Sequence, residues 1–225
     1  TYLVNVADYN RDGVLDVAVG ALQISTRPGS VGIILGDQTG TLRATRIVPF
    51  DSDTLNGQSV VADFTSDGID DIVSLIYTLS VSVGHGDGTF DPYKNALFVP
   101  AGGGEAYAQT LVTADFDNDG NMDVAWNGNG GAQSGAPPRY TQAFGLGNGT
   151  FQVMPIINIP NGYSTGGEQA AVIADFNGDG YPDMAWRAQE GGNGLGGGAN
   201  FSRIDILLYE PVSKRFQLLA DSTSV

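Results

Sequence analysis

Cysteine is absent from the 225 residues, and histidine occurs once, at His85. Without thiols the chain cannot form a disulfide framework, a cysteine nucleophile or a zinc site built on thiolates. A single histidine cannot supply a His-rich zinc site or the two-histidine iron triad. These absences remove most of the common catalytic centres, and we expect a protein that is not an enzyme, although Glu105, Glu168 and Glu190 remain as candidate acids for glycoside hydrolysis.

Basic residues are also scarce. Ten Lys and Arg stand against 25 Asp and Glu, so the net charge is −15. An acidic surface repels nucleic acids and anionic membranes, and we expect no nucleic-acid partner. No apolar run approaches the roughly 20 residues that span a bilayer, and we expect no membrane insertion.

What the sequence has instead is a nine-residue aspartate pattern that occurs four times, at residues 8–16, 63–71, 115–123 and 175–183. Successive copies begin 55, 52 and 60 residues apart. A recurring period of this length is typical of tandem repeats. We therefore expect a single domain over residues 1–225, divided into approximate repeats 1–55, 56–107, 108–167 and 168–225.

Each repeat carries four short apolar runs that are separated by Gly, Asn and Asp, a pattern that favours strands joined by hairpins. The sequence thus predicts an all-β fold, a β-propeller of four tandem four-stranded antiparallel blades. Four blades are compatible with a small closed ring, with a fragment of a larger propeller, or with half of a ring that a homodimer completes. The sequence leaves these three alternatives open.

The order of the strands separates two ends of each blade. In each repeat the aspartate loop joins the first strand to the second, and a glycine-rich turn joins the third to the fourth. Antiparallel strands reverse direction at every step, so both connections lie at one end of the blade. The remaining connections then lie at the opposite end.

The aspartate pattern has the chemistry of a cation site. Oxygen-bearing side chains stand at positions 1, 3, 5 and 9 of the loop, and a glycine at position 6 permits a sharp turn, as suits a cation of calcium size. The alternative is a set of Asx-rich turns that need no ion. An EF-hand is excluded because position 12, which requires glutamate, is occupied by Val19, Ser74, Trp126 and Trp186.

With these loops the chain resembles the FG-GAP or VCBS repeats, the calcium-binding propeller blades of the integrin α-subunit head. The resemblance implies up to four Ca²⁺ ions, one per repeat, each bound by the side chains at positions 1, 3, 5 and 9 and by the carbonyl of position 7. We expect the second site to be weakest, because Thr65 replaces a carboxylate or amide, and the third, with four carboxylates, to be tightest. The implied ligands are Asp8, Asn10, Asp12, Val14, Asp16; Asp63, Thr65, Asp67, Ile69, Asp71; Asp115, Asp117, Asp119, Asn121, Asp123; and Asp175, Asn177, Asp179, Tyr181, Asp183.

The loops at the opposite end are candidates for recognition, because long loops on a rigid scaffold commonly bind ligands. Aromatic and amide groups beside glycine suit a sugar or an extended peptide. The candidate ligand-binding residues are Tyr107, Arg139, Tyr140, Tyr163, Glu168 and Arg187. Solvated loops with incidental tyrosines are the alternative interpretation.

These observations favour an extracellular or cell-surface binding or adhesion module, stabilised by calcium, that recognises a carbohydrate or a protein partner. An accessory or scaffold propeller domain of a larger secreted enzyme is the alternative. The aromatic residues at loop position 2 and the two tryptophans are expected in the core rather than in a site; they are Tyr9, Phe64, Phe116, Phe176, Trp126 and Trp186.

Overall fold

The computed structural model describes residues 4–21, 30–49, 58–75, 78–98, 108–128, 139–158, 163–164, 171–190 and 202–219. All the regular secondary structure in these ranges is β-strand. Across the same ranges we find no helix with the length and apolar character needed to cross a bilayer. The chain divides into two compact units, residues 1–99 with 145–151, and residues 100–144 with 152–225.

The first unit contains two four-stranded antiparallel sheets, each with its strands in chain order. The first sheet is built from β1 (Val4–Ala7), β2 (Asp16–Ala21), β3 (Ser30–Gly36) and β4 (Leu42–Pro49). The second is built from β5 (Gln58–Ala62), β6 (Asp71–Leu75), β7 (Thr78–Ser82) and β8 (Lys94–Phe98).

The third repeat forms a sheet in the order β12-β11-β10-β9, and β13 also pairs with β11. The bounds are β9 (Ala108–Ala114), β10 (Asp123–Gly128), β11 (Arg139–Gly145), β12 (Phe151–Val153) and β13 (Ile157–Asn158). The fourth sheet has the order β14-β16-β17-β18, with β15 also paired to β16. Its strands are β14 (Tyr163–Ser164), β15 (Ala171–Ala174), β16 (Asp183–Glu190), β17 (Ser202–Glu210) and β18 (Arg215–Leu218).

The predicted fold of tandem, four-stranded antiparallel blades is therefore confirmed. The last strand of the third blade differs from the expected continuous run, because it is split into β12 and β13, which both pair with β11. Pro155 lies in the gap. Proline has no N–H to donate to a ladder, which accounts for the interruption.

All four aspartate loops begin and end in the same register. The alanine before the first loop aspartate pairs with the last loop aspartate, and that aspartate is the first residue of the next strand. The four pairs are Ala7↔Asp16, Ala62↔Asp71, Ala114↔Asp123 and Ala174↔Asp183. The repeated sequence thus produces one hairpin geometry four times.

Each unit has its own hydrophobic core. In the first unit the core includes Tyr9, Ala18, Val31, Ile33 and Ile72. In the second it includes Phe116, Ala125, Tyr140, Phe144, Met184, Trp186, Leu207, Tyr209 and Phe216.

The expectation of buried aromatic residues at loop position 2 is confirmed for Tyr9, Phe64 and Phe116. The two tryptophans are also buried, with Trp126 exposing 4% of its surface and Trp186 none. Phe176 differs from its equivalents, because 45% of it is exposed.

Candidate metal-binding loops

The first aspartate of each loop holds the turn closed through the backbone. In the first loop Asp8 accepts hydrogen bonds from the amides of Asp12 (Oδ1, 3.0 Å) and Gly13 (Oδ2, 2.8 Å). The corresponding carboxylates Asp63, Asp115 and Asp175 accept the same two bonds, from the amides at positions 5 and 6 of their loops. Because these glycines adopt positive φ, from 78° to 92°, a residue without a side chain is required at position 6.

The last aspartate of each loop is fully buried and joins the loop to its own sheet. Asp16 accepts bonds from the amides of Tyr9 (2.9 Å) and Gly36 (2.8 Å), one on each carboxylate oxygen. Asp71 and Asp183 repeat this pair of bonds. A carboxylate has about four lone-pair sites, so these oxygens retain capacity for a cation.

The surroundings shift the pKa values of these carboxyl groups in opposite directions. Burial raises the pKa of Asp71 above its ordinary value, while the hydrogen bond from the Gly84 amide acts against that shift. Backbone amides, chiefly that of Gly180, lower the pKa of the exposed Asp175. Hydrogen bonding therefore favours the ionised form of the carboxylates, which is the form a metal ion needs.

The third loop has the arrangement best suited to a cation. One carboxylate oxygen from each of Asp115, Asp117 and Asp123 lies within 4.8 Å of the others, the one such group among the described residues. The Oδ1 atom of Asp117 is buried and has no hydrogen-bond partner within the part of the chain that the structure describes. Three converging carboxylates, one with an unpaired buried oxygen, fit the all-oxygen coordination of a hard divalent cation.

In the first and fourth loops the asparagine at position 3 bonds within its own loop. The Asn10 amide nitrogen donates to Asp12 Oδ2 (3.0 Å), and the Asn177 amide nitrogen donates to Asp179 Oδ2 (3.0 Å). Each asparagine Oδ1 accepts the position 5 amide as well. These two loops therefore have an amide at position 3, where the third loop has the carboxylate of Asp117.

The residues at position 7, which the resemblance assigns as carbonyl ligands, are held by the aspartate at position 5. The Val14 amide donates to Asp12 Oδ1 (2.8 Å), and Ile69, Asn121 and Tyr181 make the same bond in their loops. In the second loop Thr65 holds position 3, and its amide donates to Asp71 Oδ2 (3.0 Å). Asp119 stands at position 5 of the third loop.

Neighbouring loops are linked within each unit. Arg11, at position 4 of the first loop, donates to the carbonyl of Gly68 in the second. Asn118, at the same position of the third loop, donates to the carbonyl of Gly180 in the fourth (2.9 Å). The turn of the second repeat also reaches the first loop, because the Gly88 amide donates to the Tyr9 carbonyl (3.0 Å). Aspartate loops and glycine-rich turns therefore share one end of the blades, as predicted.

Sequence reasoning did not single out Lys214, whose Nζ lies 3.1 Å from Asp117 Oδ2. The sequence did contain a signal for this residue. In the second and third repeats a glycine, Gly88 or Gly149, stands two residues before the phenylalanine that follows the turn, and in the fourth repeat Lys214 takes that place before Phe216.

The candidates for ligand binding are placed differently from one another. Tyr140 exposes 1% of its surface, and its hydroxyl donates to Asp205 Oδ2 (3.0 Å), so its ring belongs to the core of the second unit. Arg139, beside it at the start of β11, exposes 9%. Tyr163 and Arg187 lie in β14 and β16, where only the backbone is described. Tyr107 and Glu168 lie outside the described residues.

Comparison with known proteins gives two family matches. Residues 8–74 match an "FG-GAP-like repeat" and residues 166–207 match an "FG-GAP repeat". No curated protein sequence matches the chain. Among solved structures it is similar to one described as "Structure of Photorhabdus luminescens Tc holotoxin pore, Mutation TccC3-D651A", at 14% identity and a TM-score of 0.49. The match covers 91% of this chain and 10% of that one, so the chain spans a tenth of the toxin chain's length.

Proposed function

Because this chain carries FG-GAP repeats, we propose that it is a calcium-stabilised extracellular binding or adhesion module. The observation that carries the proposal is the third loop, where Asp115, Asp117 and Asp123 converge and one buried oxygen of Asp117 lacks a partner. Calcium is favoured over magnesium because a loop of carboxylates and backbone carbonyls can offer six to eight oxygens, whereas Mg²⁺ prefers to keep its own waters.

The metal has a structural role in this proposal. Sites of the extracellular type bind calcium with dissociation constants of roughly 0.1 to 1 mM. At about 2 mM calcium each such site adds about 0.7 to 1.8 kcal/mol to the free energy of unfolding. Several sites together therefore supply a sizeable part of the 5–15 kcal/mol that is typical of a folded domain.

Isothermal titration of the protein with CaCl₂, together with thermal melts in calcium and in EDTA, tests the metal. We expect calcium to bind and to raise the melting temperature, and Asp117→Asn to weaken that binding. The matched control is Asp91→Asn, which alters a surface carboxylate that pairs with Lys94 outside the loops (3.0 Å). Melting curves that calcium does not change would contradict the proposal.

We also propose that the connections opposite the aspartate loops recognise a carbohydrate or a protein partner. Support comes from the order of the strands, since the aspartate loops and the glycine-rich turns share one end of the blades and the remaining connections are expected at the opposite end. Screening on a glycan array, run beside a general glycosidase assay, tests this. We expect binding without hydrolysis, and glycosidase activity would favour an enzyme instead.

A further inference from the structure

The repeats of each unit are joined by an aromatic contact that runs in one direction. Tyr9, at loop position 2 of the first repeat, packs edge-on against Phe90 of the second, with ring centroids 5.6 Å apart. In the second unit Phe116 of the third repeat packs against Phe216 of the fourth at 5.0 Å. In both contacts the first ring is at loop position 2, and the second ring directly follows the turn after the third strand of the next repeat.

The contact extends along the first strand of the repeat. In the third repeat Val112 and Ala114 pack with Phe116 against the core of the second unit. We call the residues three and one before the loop, together with loop position 2, the forward face. On the receiving side Ile173, two residues before the fourth loop, and Phe216 join that core. We call these two positions the rear face.

The forward face of the fourth repeat is exposed. Its three residues are Val172, Ala174 and Phe176, and all are exposed, with Val172 at 58% and Phe176 at 45%. The equivalent Phe116 is fully buried. Scattered exposed apolar residues are ordinary on protein surfaces. This set differs because the equivalent residues of the third repeat pack in the core of the second unit.

The first repeat has the matching exposed rear face. Val6 stands two residues before the first loop, where the fourth repeat has Ile173, and 55% of it is exposed. Leu42 follows the turn after the third strand, where later repeats have Phe90 and Phe216, and 54% of it is exposed. One chain therefore carries exposed residues at the positions of both halves of the contact.

We propose that the forward face of the fourth repeat binds the rear face of the first repeat of a second copy of this chain. Phe176 of one copy would pack on Leu42 of the other in the way that Phe116 packs on Phe216. Such a head-to-tail contact is heterologous, and two copies that exchange it at both ends form a closed assembly. The net charge of −15 on each copy opposes association, so raised salt should strengthen it.

The test is the mass of the protein in solution, measured by light scattering during size exclusion at 0.15 M and 0.5 M NaCl. We expect a multiple of the chain mass of 23.4 kDa, and a shift to one chain with Phe176→Glu or with Leu42→Glu. Val172→Glu is a second forward-face variant that lies outside the calcium loop. The control is Val212→Glu, which adds the same charge at a residue 97% exposed on the neighbouring turn.

Mixing two variants that each retain one intact face distinguishes this specific contact from nonspecific association. The Phe176→Glu chain keeps an intact rear face, and the Leu42→Glu chain keeps an intact forward face. An equimolar mixture should therefore form a dimer although each variant alone has the mass of one chain. A wild-type mass of one chain at 100 µM, or assembly that all the face variants leave unchanged, would overturn the proposal.

Discussion

Lys214 Nζ lies 3.1 Å from Asp117 Oδ2, which places a cationic side chain of the fourth repeat on the candidate metal loop of the third. The lysine backbone has φ +50°, where the matching turns have Gly88 at +78° and Gly149 at +74°. A side chain in this left-handed region is disfavoured. The hydrogen bond and charge of Asp117 raise the pKa of Lys214, so the lysine stays protonated through the neutral range.

We predict that Lys214→Met increases the calcium affinity of the third loop about two- to five-fold, because a fixed positive charge no longer competes with the ion. Lys214→Gly should raise the calcium affinity by a similar factor. Because glycine adopts the left-handed backbone of residue 214 without strain, this variant should be more stable than Lys214→Met when calcium is absent. Titration calorimetry and melts in EDTA measure both effects.

Lys94→Met is the control for that experiment, because Lys94 makes an equivalent ion pair at 3.0 Å with Asp91, a residue outside the loops. Its calcium affinity should match the wild type. An unchanged affinity in both Lys214 variants would show that the lysine does not compete with the metal.

We predict that Asp71→Asn destabilises the fold whether or not calcium is present. Its two oxygens accept the amides of Phe64, Thr65 and Gly84, and an amide side chain cannot accept on both sides. The expected loss is about 1–3 kcal/mol in the free energy of unfolding, measured by urea titration.

Asp117→Asn provides the contrast at loop position 3, since its Oδ1 bonds to no protein group. This variant should lose stability mainly when calcium is present. If Asp117→Asn lowered the free energy of unfolding equally in calcium and in EDTA, the proposed difference would be contradicted, namely that Asp71 stabilises the loop and Asp117 binds the ion.

We predict that Phe116→Ala costs about 3–5 kcal/mol in the free energy of unfolding, because the ring is fully buried against Phe216 and its removal leaves a cavity. Val212→Ala, at a residue 97% exposed, should change stability by less than about 0.5 kcal/mol. Urea unfolding of the two variants measures the difference. A loss below 1 kcal/mol for Phe116→Ala would argue against the aromatic contact as a main link between repeats.

We predict that Asn118→Gly uncouples the third loop from the fourth. Asn118 has φ +55° and donates to the Gly180 carbonyl, and glycine keeps that backbone conformation while removing the donor. Calcium binding at the third loop should then no longer protect the fourth, as hydrogen exchange at the Gly180 amide would report. Exchange that responds to calcium as in the wild type would contradict the coupling.

The hairpins and the order of the strands could be predicted from the sequence because the same nine-residue pattern occurs in all four repeats. Asp71 is both the last residue of its loop and the first residue of a strand. Such a hairpin depends on turn-forming residues that are close in sequence, so nine residues are enough to predict it. The split after Val153 also has a local cause, the proline at position 155.

The sequence could not predict the burial and the side-chain contacts that depend on residues of another repeat. Phe116 and Phe176 hold the same place in their repeats, yet Phe116 is buried against Phe216 of the next repeat and Phe176 is exposed. Tyr140 lies beside a glycine-rich segment, yet it joins the core because its hydroxyl reaches Asp205, 65 residues away. The position of Lys214 over Asp117 likewise spans 97 residues.

The direction of the aromatic contacts has a consequence for synthesis on the ribosome. Tyr9, Phe64 and Phe116 pack on rings that follow them by 81, 87 and 100 residues. At roughly 5–20 residues per second, each emerging loop therefore waits about 5 to 20 seconds for its ring partner. During that interval the nascent repeat presents an uncovered aromatic residue, and its loop is held by the hydrogen bonds that its own aspartates accept from the backbone.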